Sequence, residues 1–301
     1  MAASPLNFKT RYHARSISLP SNPHPRIPQF DEHLCRLRAS EACSPSSSSL
    51  GHRLNGLKDL HDCVDELLLL PLTQQTLAQE RHEKWFDGLL DGSLRLLDVC
   101  STAKDALLQM KEHIHELQSI LRRRRGSEFG IAKEVGEYFA YRKTVKKAIH
   151  KARKNLKGIE DKCSFSPINE DHETLSMVSM LRQVETTTLT VLESLLSLIA
   201  GPKAQSKPSS WSLVSKVMVH SKRVACEEEE TDVNEFDKVD AVLHSLLGHK
   251  RNKSNNSLHA ESLQNQLGKL ELSIEDLEEG LECLFRRLIK TRVSLLNIVN
   301  H

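Results

Sequence analysis

The chain has 301 residues, a net charge of +2, 4% aromatic residues, 12 Gly and 10 Pro. That length holds one large or two ordinary domains, and so few aromatics and turn residues argue against sandwiches and barrels and for Leu-rich helices. Cysteines at 35, 43, 63, 100, 163, 226 and 283 are odd in number, irregularly spaced and free of any CxxC, which disfavours a disulfide scaffold and suits reduced thiols in an intracellular protein.

Residues 1–50 read as a disordered arm. They hold Pro5, Pro20, Pro23, Pro25, Pro28 and Pro45 and the run Ser46–Ser49, with no acid before Asp31. Such a composition buries too little apolar surface to offset ordering entropy. It also overlaps with an organellar transit peptide, which is rich in Arg and Ser and poor in acids. Within the arm, Arg15-Ser16-Ile17-Ser18-Leu19-Pro20 has the spacing of a basophilic kinase site. Ser16 and Ser18 are the candidate phosphorylation sites. Arg15, Ser18 and Pro20 together form the candidate motif for a 14-3-3-type reader, because phosphate on Ser18 would offer oxygens to an Arg cluster.

A helical region is expected over 51–200. Leu54, Leu57, Leu60, Val64 and Leu67 recur at helical spacing up to Pro71. A second stretch from Thr73 carries Leu77, Trp85, Leu89, Leu94, Leu97, Cys100, Leu107, Ile114 and Leu121, with a break expected at Gly88–Gly92. Arg122–Arg125 and Gly126 read as its C-terminal end, where cations complement the helix dipole. A third helix spans Ser127–Asp161 and a fourth Glu173–Ala200. Residues 201–210 form a linker opened by Gly201-Pro202. The region 211–301 then holds a short helix near Trp211–Ala225, another over Asn234–Gly248, and a long terminal helix, packed with 51–200 as one bundle.

The terminal helix carries the strongest pattern. Leu263, Leu267, Leu270, Ile274, Leu277, Leu281, Leu284, Leu288, Thr291, Leu295 and Ile298 alternate spacings of four and three, with Thr291 as the one interruption. A 3.5-residue average keeps one helix face turned towards a neighbour. Phe285, Val293, Leu296 and Val299 widen the stripe near the end, which suits packing within a bundle better than a two-stranded seam. The expectation is therefore twofold: a narrow association face at Leu263–Leu281 available to a partner or a second copy, and a broad face at Leu284–Val299 packed inside the chain.

Charge is blocked rather than scarce. From Arg122 to Lys157 thirteen Lys/Arg oppose three Glu, whereas Glu227–Asp240 holds eight acids against Lys238. Arg142, Lys143, Lys146, Lys147, Lys151, Arg153, Lys154 and Lys157 form a basic patch suited to an anionic membrane surface. The bland reading is a solvated face partly neutralised by the acidic stretch. Aromatic residues hardly interleave, so stacking on bases has no platform and no nucleic acid is expected.

No apolar run approaches the roughly 20 residues of a membrane span. His113 and His115 lie two apart, on different helix faces, and no P-loop, GxGxxG or GxSxG occurs. No catalytic, cofactor-binding or metal-binding residue is expected, and the reading is that of a non-enzymatic protein. The compartment is expected to be the cytoplasm, with plastid and nucleus left open.

Several blocks carry a resemblance. His13–Ser21, Phe30–Leu37, Leu57–Leu67, Asp91–Asp98, Arg122–Arg125 and Arg286–Asn297 resemble a plant-specific family of unknown function related to the BYPASS proteins. The resemblance implies a mainly helical protein linked to root and shoot development, with no established catalysis and no functional residues to carry over. The function expected is that of a non-enzymatic plant regulatory protein acting through helix-helix association. The alternative is a peripheral protein docking on anionic membrane through residues 142–157.

Overall fold

The computed structural model describes residues 26–42, 46–79, 84–123, 131–160, 172–201, 234–248 and 256–300. Among these the regular elements are all helical: α1 (Arg26–Ala39), a 3-10 turn (Ser40–Ala42), α2 (Ser47–Leu68), α3 (Pro71–Gln79), α4 (Lys84–Arg123), α5 (Ile131–Glu160), α6 (His172–Ala200), α7 (Glu235–Gly248) and α8 (Asn256–Asn300). The expected linker beyond Gly201 and the helix expected near Trp211–Ala225 fall outside them.

Residues 26–39 correct the boundary of the expected arm. Phe30, Leu34 and Leu37 recur at spacings of four and three and are buried, a stripe that the surrounding prolines masked. Pro28 sits in the first helical turn, where its missing N–H costs nothing. α1 runs antiparallel along α2, with Arg26 on Glu66 at 2.8 Å and Leu37 against Gly56.

Local chemistry explains where the helices begin and end. Ser46 caps α2, its hydroxyl accepting from the Ser49 N–H at 3.2 Å. Pro71 opens α3 at the position where a helix tolerates proline best. Asn234 caps α7 by accepting from the Phe236 N–H at 3.0 Å, and Gly201 closes α6 at φ +70°.

α4 runs unbroken through Gly88 and Gly92, where a break was expected. Both glycines are sites of close approach instead: Arg182 of α6 presses on Gly88 and Glu185 on Gly92. The missing side chains let two helices come together, which outweighs the loss of helix propensity.

The two longest helices organise the rest. At 40 and 45 residues, α4 and α8 extend about 60 and 68 Å at 1.5 Å per residue. They pack antiparallel, because Lys104 meets Glu282, Lys111 meets Glu275 and Glu278 at 3.1 Å, and Gln118 meets Glu271 at 2.7 Å. α2 lies on the other flank of α8 and runs parallel to it, with Leu54 at Gly280 and Asp62 at Arg287. α6 closes this half between α2 and α4. Towards the other end of the long helices, α5 packs on α4 and α6, and α7 packs on α8. One continuous core runs through both halves, from Leu34 and Leu60 to Val145 and Leu267.

Candidate functional site

α5 presents two chemically different faces. Val135, Tyr138, Val145 and Ile149 are buried against the bundle, whereas Lys143, Lys147, Lys151 and Lys154 are exposed. Spacings of four, four and three keep those lysines on one side, along about 16 Å of helix. No acid occurs between Tyr138 and Ile159. Among the described residues no ion pair engages any of the four, so their ammonium groups face solvent. Arg153 is half-buried at the edge of the row, and the side chain of Lys157 lies outside the described residues.

Arg142 does not belong to that surface. Its side chain is 2% exposed and spans three elements. Nη2 reaches Asp240 Oδ2 at 2.8 Å, Nε reaches both carboxylate oxygens, and Nη1 donates to the Ile199 carbonyl. Tyr138 donates to Asp240 Oδ1 at 2.8 Å, and the guanidinium stands over the Phe236 ring at 5.5 Å. Burial foremost, and then the Asp240 charge, hold the Tyr138 hydroxyl well above its usual pKa, so it stays a donor. Lys146 lies 4.0 Å from the same carboxylate. Part of the expected basic patch is therefore a structural clasp that fixes α7 to α5 and α6. Among the described residues of the acidic stretch, Asp240 pairs with this part of the patch.

The expected association face is also relocated. Leu263, Leu267, Leu270, Ile274, Leu277 and Leu281 are 0 to 1% exposed inside the chain, covered by α2, α4 and α7. Of the broad face expected to be packed, Leu284, Leu288, Leu295 and Ile298 are buried and Phe285 and Val299 pack against the core, but two residues are not covered. Val293 is 49% and Leu296 36% exposed, joined by Ile289 at 42% and, across on α4, Leu94 at 45%. Helix spacing alone cannot tell which of two adjacent flanks its neighbours leave uncovered. That choice is made by α2 and α4 together.

Two further polar sites are buried in the bundle. His61 lies 3.0 Å from the Thr188 hydroxyl, and its Nδ1 meets no partner among the described residues. Burial lowers its pKa from the usual 6.5 to about 4, opposed by the Asp62 charge and assisted by Arg287. Asp65 accepts from Thr291 at 2.8 Å and has Lys290 at 3.3 Å. Thr291, the interruption in the heptad pattern, is thus a donor to a carboxylate.

Ser16, Ser18, Arg15 and Pro20 lie outside the described residues. Among the described residues no cluster of three or more His, Cys, Asp or Glu side chains could hold a metal ion, and no helix is long and apolar enough to cross a membrane. The concavities present include two open depressions, at His115, Gln118, Arg122 and Glu271 and at Glu261, Asn265 and Lys269. An apolar void of about 10 Å³ lies between Phe30, Val64 and Met180.

No curated protein matches the chain, and no solved structure does. A family model described as Protein BPS1 matches residues 53–298. That span takes in every helix from α3 to α7 whole, most of α2 and nearly all of α8, so the chain belongs to this BYPASS-related family.

Proposed function

We propose that this chain is a non-catalytic regulatory protein of plant development that works by docking on an anionic membrane surface through α5. The supporting observation is the row Lys143, Lys147, Lys151 and Lys154, exposed on one side and without an acidic partner among the described residues. Each such lysine contributes about 1 kcal/mol near a negatively charged leaflet. Four of them give a weak, reversible attachment that fades as salt rises. Thr144 and Ala148, also exposed, are too small to insert between acyl chains, so the contact is electrostatic rather than interfacial. The link to root and shoot development rests on the resemblance to the BYPASS proteins.

The test is co-sedimentation of the full chain with phosphatidylcholine vesicles, with and without phosphatidylserine. Binding is expected only to the serine-containing vesicles, and a chain with Lys143, Lys147, Lys151 and Lys154 all changed to Glu should lose it. Binding that survives this charge reversal, or none by the parent chain, rejects the reading.

A further inference from the structure

The outer side of the α4/α8 pair carries an apolar surface that no other described helix covers. Leu94 on α4 and Ile289, Val293 and Leu296 on α8 are each 36 to 49% exposed. The α8 residues are spaced four and three apart and share one face. Their level relative to α4 is set by the contacts of two α8 residues, Arg292 and Phe285. Arg292 donates to the Leu90 carbonyl at 2.6 Å and to Ser93 at 2.8 Å, and Lys104 stands over the Phe285 ring at 4.6 Å. In that antiparallel register Leu94 falls beside the Ile289–Val293 turn. The four side chains therefore form one patch rather than scattered surface residues. Contiguous exposed apolar surface of this kind marks an interaction site.

Its edges differ in charge. On the α4 side run Asp87, Asp91 and Asp98, all exposed. On the α8 side stand Arg286, which also pairs with Glu282 at 2.9 Å, and Lys290, which also reaches Asp65 at 3.3 Å; both side chains stay more than half exposed. An anionic bilayer would be repelled by the α4 edge, so this surface is not a second membrane contact. A second copy of the chain fits both edges at once. A two-fold axis parallel to the helices lays α4 of one copy over α8 of the other, and α8 over α4, so that an acidic edge meets a basic edge on both sides. The axis leaves heights along the helices unchanged, which sets Asp98 of one copy level with Arg286 of the other. The two apolar rows then meet in the middle, and the assembly closes as a dimer.

We propose that two copies of this chain associate through the α4/α8 face, with Leu94, Ile289, Val293 and Leu296 at the centre and Asp98–Arg286 pairs at the rim. This goes beyond membrane docking and is independent of it, since α5 takes no part.

Sedimentation equilibrium of the full chain without lipid tests it. The parent should show a monomer–dimer equilibrium. Ile289→Glu with Val293→Glu should weaken the dimer at least about a hundredfold, because unpaired charges would be buried at its centre, while the far-ultraviolet circular dichroism stays that of the parent. Asp98→Lys should weaken it by about tenfold, and adding Arg286→Glu to that same chain should restore it. A parent that stays monomeric at every concentration overturns the proposal, as does a dimer indifferent to the two glutamates. Failure of the charge swap to restore the dimer overturns the two-fold arrangement. None of these outcomes bears on the vesicle experiment, so the two readings stand or fall separately.

Discussion

Thr291 Oγ1 donates to Asp65 Oδ1 at 2.8 Å, across the parallel contact of α8 with α2. Asp65 is 1% exposed, and burial raises its carboxyl pKa, opposed first by the Thr291 hydrogen bond and then by the Lys290 charge. A leucine at 291 would have completed the heptad stripe but left this carboxylate with Lys290 alone. The polar residue in the seam is explained by its neighbour on another helix.

Thr291→Val keeps the shape and removes the donor. It should cost about 1–3 kcal/mol at neutral pH, the usual penalty for leaving a buried acceptor short of a partner. The sign with pH follows from the raised carboxyl pKa. Losing the donor pushes it higher still, so the folded state holds its proton longer than the unfolded chain does. Stability then falls as pH rises through that window. Urea unfolding of parent and variant at acid and neutral pH checks this: the gap between them should widen towards neutrality. An equal gap at both would mean that the Asp65 charge plays no part.

His61 should give the chain an acid-sensitive limb of opposite sign. Its pKa lies near 4 when folded against 6.5 unfolded, so between those values the unfolded chain binds the proton better. Stability therefore drops as pH falls from about 6.5 to about 4, by up to about 3 kcal/mol at the limit. His61→Gln keeps a partner for Thr188 and cannot titrate in this range. The variant's unfolding midpoint should change less with pH than the parent's across this interval, and parallel profiles would count against the assignment.

The Arg142–Asp240 clasp is expected to behave as a buried pair does when one side is removed. Arg142→Ala leaves the Asp240 carboxylate with only the Tyr138 hydroxyl and the distant Lys146, and takes the guanidinium donor from the Ile199 carbonyl; it should cost about 3–5 kcal/mol. Arg142→Lys keeps the charge but cannot reach two carboxylate oxygens and a carbonyl from one planar group, so it should recover little of that loss. Thermal unfolding of both variants supplies the comparison. A fully stable lysine variant would reduce the clasp to simple charge pairing.

Periodicity revealed the helices, because a 3.6-residue repeat of leucines survives in almost any helical bundle. The buried seam from Leu263 to Leu281 was visible as apolar, yet not as already occupied, since a helix face looks the same whether its neighbour belongs to the chain or to a partner. Arg142 reads like the lysines beside it for a similar reason. Only the placement of Asp240 and Ile199, far away in sequence, turns one cation of the row inward. α1 was hidden by composition, because Pro28 and the prolines before it outweigh three well-spaced apolar residues in any count. The exposed patch had a partial signal: Val293 and Leu296 were visibly surplus to the seam. What was missing was the position of α4, which covers one flank of α8 and leaves the adjoining one open.

Gly201 closes α6 at φ +70°, a backbone conformation in which a side chain collides with its own carbonyl. Its N–H still donates back to the Ser197 and Leu198 carbonyls at 3.0 and 3.2 Å, finishing the last turn. The Asn234 side chain donates to the same Leu198 carbonyl at 2.6 Å, so the end of α6 and the start of α7 are tied at one point. A Cβ on Gly201 would come within 2.5 Å of Asp237 Oδ1, on the first turn of α7. Gly201→Ala therefore adds a left-handed strain of about 1–2 kcal/mol to a clash at that junction. Loss of stability in urea together with faster amide exchange in both α6 and α7 is expected. Were α7 to keep its exchange rates while α6 frayed, the two helix ends would be independent and the shared Leu198 carbonyl incidental.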